Sequence, residues 1–274
     1  MSTVLLRLPF ILLSAYFTFV GWTILIYNRT LGDEFVYVFV GRERKKFAVH
    51  RALIRSQSAF FKDAFTEADP ASLETELHLP YDSVSIFEIF VGWMYRGHLV
   101  FKVFEGDGVE FTADDCIDLY LFAEQKLCTA LQNAAMDLFQ DNIRDGVWSL
   151  NYNLLTKIFG LNDYDEIDHL FCVREFCCAV LYYYLLVSQT WGPQYMTGLF
   201  QQCPEAMEAF LEFQVKMSQK KDIKTSDPQR RGNSTLYHCC FFHLHDSNQD
   251  EDACRSEHSE EGRLNSASSN ALSQ

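Results

Sequence analysis

FAVHRALIRSQSAFFKDAF, residues 47–65, is the stretch in which the chain changes period. Phe47 and Val49 alternate about Ala48 as the end of a strand, after which Leu53, Ser56 and Phe60 recur at helical spacing. Ser56 and Ser58 are weak helix formers and good caps, so the helix is expected to break and restart. Two short helices over 51–56 and 58–65 would present Leu53, Ile54, Phe60, Phe61 and Phe65 to one core. Arg51, Arg55 and Lys62 read as solvated positions on those helices. His50, at the turn from strand to helix beside Phe47 and Leu53, reads as a packed structural histidine, because no nucleophile, acid or metal partner accompanies it at a recognisable spacing.

Upstream, FVYVFVG at 35–41 places Val36, Val38 and Val40 on one side and Phe35, Tyr37 and Phe39 on the other, so a strand buried on both faces is expected. Residues 41–46 form a charged turn, and the strand ending at Val49 returns as the second arm of a hairpin. Downstream, a polar loop over 67–75 is broken by Pro70, and a short strand over 76–79 stops at Pro80. Ser85 with Glu88 reads as a capping box for a helix whose Ile86, Phe87, Phe90, Trp93 and Met94 recur at three and four, with Gly97 as its C-cap. Residues 99–104 read as a short edge strand and 105–108 as a turn. Thr112 should cap a helix through Lys126 carrying Ile117, Tyr120, Leu121 and Glu124. Thr129 should open another that turns Leu131, Ala134, Ala135 and Leu138 inward.

Hairpin, two helices, strand, long helix, two helices: this order, carried by residues 47–65, by LHLP at 77–80 with SIFEIFVGWMYRGHL at 85–99, and by CIDLYLFAEQKL at 116–127, resembles the BTB/POZ domain. The resemblance spans residues 31–142. It implies an α+β fold, a small sheet with a cluster of helices, followed here by an α-helical extension over 143–215 and a disordered tail. It also implies a protein–protein interaction adaptor. Many family members recruit substrates to cullin-based ubiquitin ligases and bear a hydrophobic-x-Glu motif just after the long third helix. Val103, Phe104 and Glu105 match that motif in position and type. A cullin scaffold and a homodimer are thus the partners implied. Phe35 departs from the family, standing where many dimerising members carry a buried acidic residue. The alternatives are a membrane-tethered BTB scaffold or a transcriptional cofactor with no ligase role.

The chain has 274 residues, 48% of them hydrophobic, which is ample for a packed core. Its formal net charge of -14 argues against direct nucleic-acid binding, which needs Lys and Arg to neutralise phosphates. The nine cysteines form no evenly spaced framework, and a reducing compartment is the simpler reading. Two glycosylation triplets, at 28–30 and 233–235, would matter only in a secreted chain. Residues 10–27, FILLSAYFTFVGWTILIY, carry no charge and as a helix would reach about 27 Å, the lower limit for a bilayer. Arg29, Arg42, Arg44, Lys45 and Lys46 follow it while only Arg7 closely precedes it, so an inserted segment within 1–30 would keep the BTB part in the cytosol. The expected location is cytoplasmic or nuclear, or membrane-anchored with the domain facing the cytosol.

Beyond residue 142 the pattern stays helical, through Leu154, Leu155, Ile158 and Phe159 and then Leu170, Val173, Phe176, Cys177, Val180 and Leu181. AVLYYYLLV at 179–187 is dense enough to read as a core helix buried all round. Residues 216–274 form a polar linker and an acidic, then Ser/Asn-rich, tail with a Cys/His cluster. Cys239, Cys240, His243, His245 and Cys254, flanked by His238 and His258, include enough thiols and imidazoles for a tetrahedral structural zinc in Cys240, His243, His245 and Cys254. A zinc-dependent enzyme is the weaker reading, since four protein ligands close the metal to substrate and the sequence offers neither HExxH nor a phosphate-cradling Gly-rich loop. The expectation is therefore a non-enzymatic module.

Overall fold

A computed structural model describes residues 31–66, 75–99, 111–160, 169–218, 227–230, 237, 240–245, 251 and 254. The chain divides into two compact units, residues 1–94 and 95–274.

In the first unit, β1 (Phe35–Val40) pairs antiparallel with β2 (Lys45–His50) and parallel with β3 (Glu76–Leu79), in the order β2-β1-β3. Gly41, at φ +74°, opens the hairpin turn and donates its N–H to the Leu79 carbonyl at 2.9 Å. Val36, Val38 and Val40 are fully buried, as their β-branched alternation predicts. The opposite face is not buried: Phe35 is 46% exposed, and Tyr37 and Phe39 are half-buried. The reason lies in the register, which sets Lys46 across from Phe39, Ala48 across from Tyr37 and His50 across from Phe35. Polar side chains cover the rings instead of core side chains. Lys46 Nζ stands 3.5 Å from the Tyr37 ring centre, and Phe39 stacks on His78 at 4.8 Å.

β2 runs directly into α1 (Arg51–Gln57), and Ser58, in extended conformation, separates it from α2 (Ala59–Ala64). The Ser58 hydroxyl accepts from the Phe61 N–H at 3.3 Å, which is the cap that restarts the helix. Leu53, Ile54, Phe61 and Phe65 are buried, while Phe60 is only half so. Arg51 is not solvated. It is 5% exposed, donates from Nη2 to the Phe65 carbonyl at 2.8 Å, and brings Nη1 to 3.4 Å from Glu34 Oε2. Being first in α1, it reaches the C-terminal end of α2, where the helix dipole favours a cation. Glu34 thereby supplies an acidic side chain one position before Phe35, whose ring lies 4.3 Å from His50.

α3 (Val84–Arg96) buries Ile86, Phe87, Phe90, Trp93 and Met94, and Gly97 at φ +75° follows its last residue. Its aromatic face packs on α2 and β2: Phe90 stacks on Phe61 at 5.5 Å and Phe87 meets Phe47 edge-on at 4.9 Å. Glu88, expected to close a capping box with Ser85, pairs with Lys45, and Ser85 shares a hydrogen bond with Ser83.

The second unit is helical among its described residues: α4 (Ala113–Gln125), α5 (Thr129–Arg144), α6 (Tyr152–Gly160), α7 (Phe171–Tyr182), α8 (Pro193–Gln202) and α9 (Pro204–Ser218). Thr112 and Asp115 form a reciprocal capping box at the start of α4, with Asp115 N–H to Thr112 Oγ1 at 3.2 Å and Thr112 N–H to Asp115 Oδ2 at 2.8 Å. At its end, Leu127 takes φ 51° and is followed by a hydrogen bond from Cys128 N–H to the Ala123 carbonyl at 2.8 Å. The α5 core stripe is Leu131, Gln132, Ala135, Met136, Phe139, Gln140 and Ile143, which leaves the expected Ala134 and Leu138 half-buried. α6 and α7 bury the expected Leu154, Leu155, Ile158, Phe159, Val173, Phe176, Cys177, Val180 and Leu181. AVLYYYLLV is not buried all round: α7 widens into a π turn over Tyr183–Val187, and Leu186 is 50% exposed. No helix among the described residues is long and apolar enough to cross a membrane. Residues 10–27 and the edge strand expected over 99–104 lie outside the described residues, Leu99 excepted.

Candidate functional site

The described residues of the C-terminal segment are docked on α5 and α7. α5 carries Asn133, Asp137 and Gln140, four and three residues apart and hence on one face of the helix. Each grips a later part of the chain. Asn133 donates from Nδ2 to the Leu244 carbonyl at 2.9 Å and accepts the Leu244 N–H on Oδ1 at 2.8 Å, so its amide imitates a strand partner. Gln140 donates to the Pro228 carbonyl at 2.7 Å in a buried contact. Asp137 Oδ1 stands 2.8 Å from His243 Nε2. The apolar part of the contact is aromatic. Phe242 meets Phe176 of α7 edge-on at 5.2 Å and stacks with Tyr237 at 5.7 Å, and both Phe242 and Tyr237 are buried. Burial, with a smaller contribution from Glu175, pushes the Tyr237 phenol up from its ordinary value.

This docking brings together three of the four metal-ligating candidates. Ligand atoms of Cys240, His245 and Cys254 all lie within 4.8 Å of one another. Cys240 is 2% exposed, and Nε2 of His245 is buried with no hydrogen-bond partner. His243 adjoins the group through Nδ1, 3.3 Å from Cys254 Sγ, while its other nitrogen faces Asp137. Neither thiol is in a disulfide. His238, Cys239 and His258 lie outside the described residues, as do Val103, Phe104 and Glu105.

Sequence reasoning missed Asn133, Asp137 and Gln140. The signal available was their shared helical face, a polar row on a helix whose other positions turn Leu131, Met136 and Phe139 inward. The remaining described cysteines are a different population. Cys116, Cys128, Cys172, Cys177, Cys178 and Cys203 are all buried, and desolvation raises the thiol of Cys128 to about 11 and that of Cys178 to about 12. At neutral pH Cys128 and Cys178 are protonated packing groups, unsuited to nucleophilic attack.

The family model of the BTB/POZ domain matches residues 30–135, from just before β1 into the first half of α5. Among curated proteins, none matches the chain.

Proposed function

We propose, with a BTB/POZ domain over residues 30–135 as the premise, that this chain is a protein–protein interaction adaptor that recruits substrates to a cullin-based ubiquitin ligase. The observation that carries the adaptor reading is the domain itself, matched across the hairpin, the two short helices, β3 and the long α3. The ligase reading adds the hydrophobic-x-Glu triplet Val103, Phe104 and Glu105, placed between α3 and α4, where cullin-binding members of the family carry theirs. In such an arrangement Phe104 supplies an apolar anchor and Glu105 a charge that fixes its register, the usual division of labour at a small interface. The test is retention of a cullin scaffold by the full chain and by the Phe104→Ala/Glu105→Ala variant. Retention by the wild type and its loss in the variant is expected; equal retention, or none in either, removes the ligase role and leaves the adaptor.

Residues 10–27 favour a second element of this reading, an adaptor held at a membrane, because the run is uncharged and the cations that follow it would keep the domain on the cytosolic side.

A further inference from the structure

We propose that Cys240, His243, His245 and Cys254 bind one zinc ion, and that this ion fastens the C-terminal segment to α5. The proposal stands apart from the ligase reading and shares no residue with it.

Two thiols and an imidazole whose ligand atoms fall within 4.8 Å of one another are already three quarters of a tetrahedral zinc site. Ligands at zinc's bond lengths of about 2.0–2.3 Å stand roughly 3.3–3.8 Å apart, so the group closes by about 1 Å when the ion enters. The buried Nε2 of His245 points to the same conclusion from another direction. A polar nitrogen removed from water without a partner costs free energy unless something binds it, and the groups nearest in character are two thiols. His243 completes the set. Its Nε2 stands 2.8 Å from Asp137 Oδ1, and in the neutral tautomer that donates Nε2–H to that carboxylate the lone pair is on Nδ1, 3.3 Å from Cys254 Sγ. A carboxylate behind the far nitrogen of a ligating histidine is the usual way such a ring is oriented and its basicity raised. Asp137 is therefore a positioning residue on α5.

Thiolate with imidazole selects zinc over the hard cations, which take oxygen. Binding releases the two thiol protons to solvent and leaves the ion with four protein ligands, so the site is structural. Its effect is mechanical. Cys240 and Cys254 are brought to one point by the ion, and His243 ties that point to Asp137, which lies 106 residues earlier in the chain.

The test is elemental analysis of the full chain purified without chelator, beside the Cys240→Ser/Cys254→Ser variant. About one zinc per chain in the wild type and nearly none in the variant is expected. Less than about one tenth of a zinc per chain in the wild type, or equal zinc in both, overturns the site. Because the variant could lose metal by unfolding, cobalt is also exchanged into the wild-type chain. A tetrahedral spectrum with thiolate-to-metal charge transfer supports the assignment, and its absence overturns it. Asp137→Asn should retain the ion at about 10–100-fold lower affinity, read by competition with a chromophoric chelator; unchanged affinity would remove His243 and Asp137 from the site.

Discussion

Arg51 shows what one side chain can settle. Its side chain is 6% exposed and holds the Phe65 carbonyl, whereas the side chain of its carboxylate neighbour Glu34 is 71% exposed. The hydrogen bond to the carbonyl should therefore outweigh the ion pair. Arg51→Ala is expected to cost about 2–3 kcal/mol in urea denaturation, since it strips a charged donor from a buried acceptor, while Glu34→Ala should cost under about 1 kcal/mol. Leu127 is a case of opposite sign. It occupies the left-handed position that ends α4, at φ 51°, with 61% of its surface exposed, so it suffers the backbone strain of that conformation and gains little burial. Leu127→Gly should raise stability by about 0.5–1 kcal/mol, read as a higher denaturation midpoint, the relief of strain exceeding the entropy that glycine adds to the unfolded chain. Neither feature was legible in local sequence. Arg51 looks like any polar residue opening a helix, and only the closure of α2 above it turns it inward.

At the scale of elements, the helices repay reading by period and the sheet does so only when its strands are read together. The apolar stripe of α3 was legible from Ile86 to Met94, because its positions fall on one face and nothing distant competes for them, whereas Glu88 was claimed by Lys45 on β2 rather than by a capping box. β1 misled because both its sides are apolar, and the polarity of its outer face is set by Lys46 and His50 on β2. α5 misled in register, since Ala134 and Leu138 are apolar enough to read as core while Gln132 and Gln140 are the ones turned in. α9 gives a direct check on facing. Phe210 and Phe213 are buried, whereas Met207, Leu211 and Val215, spaced by four, are 42%, 50% and 67% exposed. Phe210→Ala should destabilise by about 3–5 kcal/mol and Val215→Gln by no more than about 0.5 kcal/mol, measured by thermal unfolding.

For the whole molecule, the buried thiols set a limit at alkaline pH. Desolvation raises Cys128 from 9.0 to about 11 and Cys178 from 9.0 to about 12, so the folded state binds these protons more tightly than the unfolded one. Their contribution is complete below pH 9.0 and is lost as pH rises through the folded values. The denaturation midpoint should accordingly fall between pH 9 and 11, and Cys128→Ala should flatten that fall. Location tests a different part of the chain. A fluorescent fusion of the full chain should sediment with membranes and one lacking residues 1–28 should not; identical fractionation removes the anchor. The candidate metal ligands were legible as residue types in the tail. The surface they dock on was not, because it is built by Asn133, Asp137 and Phe176, which lie far away in sequence.

The paired hydrogen bonds between Asn133 and Leu244 span 111 residues, and this gives the fold a timetable. A ribosome adding about 5–20 residues per second takes roughly 6–22 s to pass from one to the other. For most of that interval α5 has been made and the segment that covers its polar row has not, so newborn chains present to chaperones a helix face that finished ones conceal.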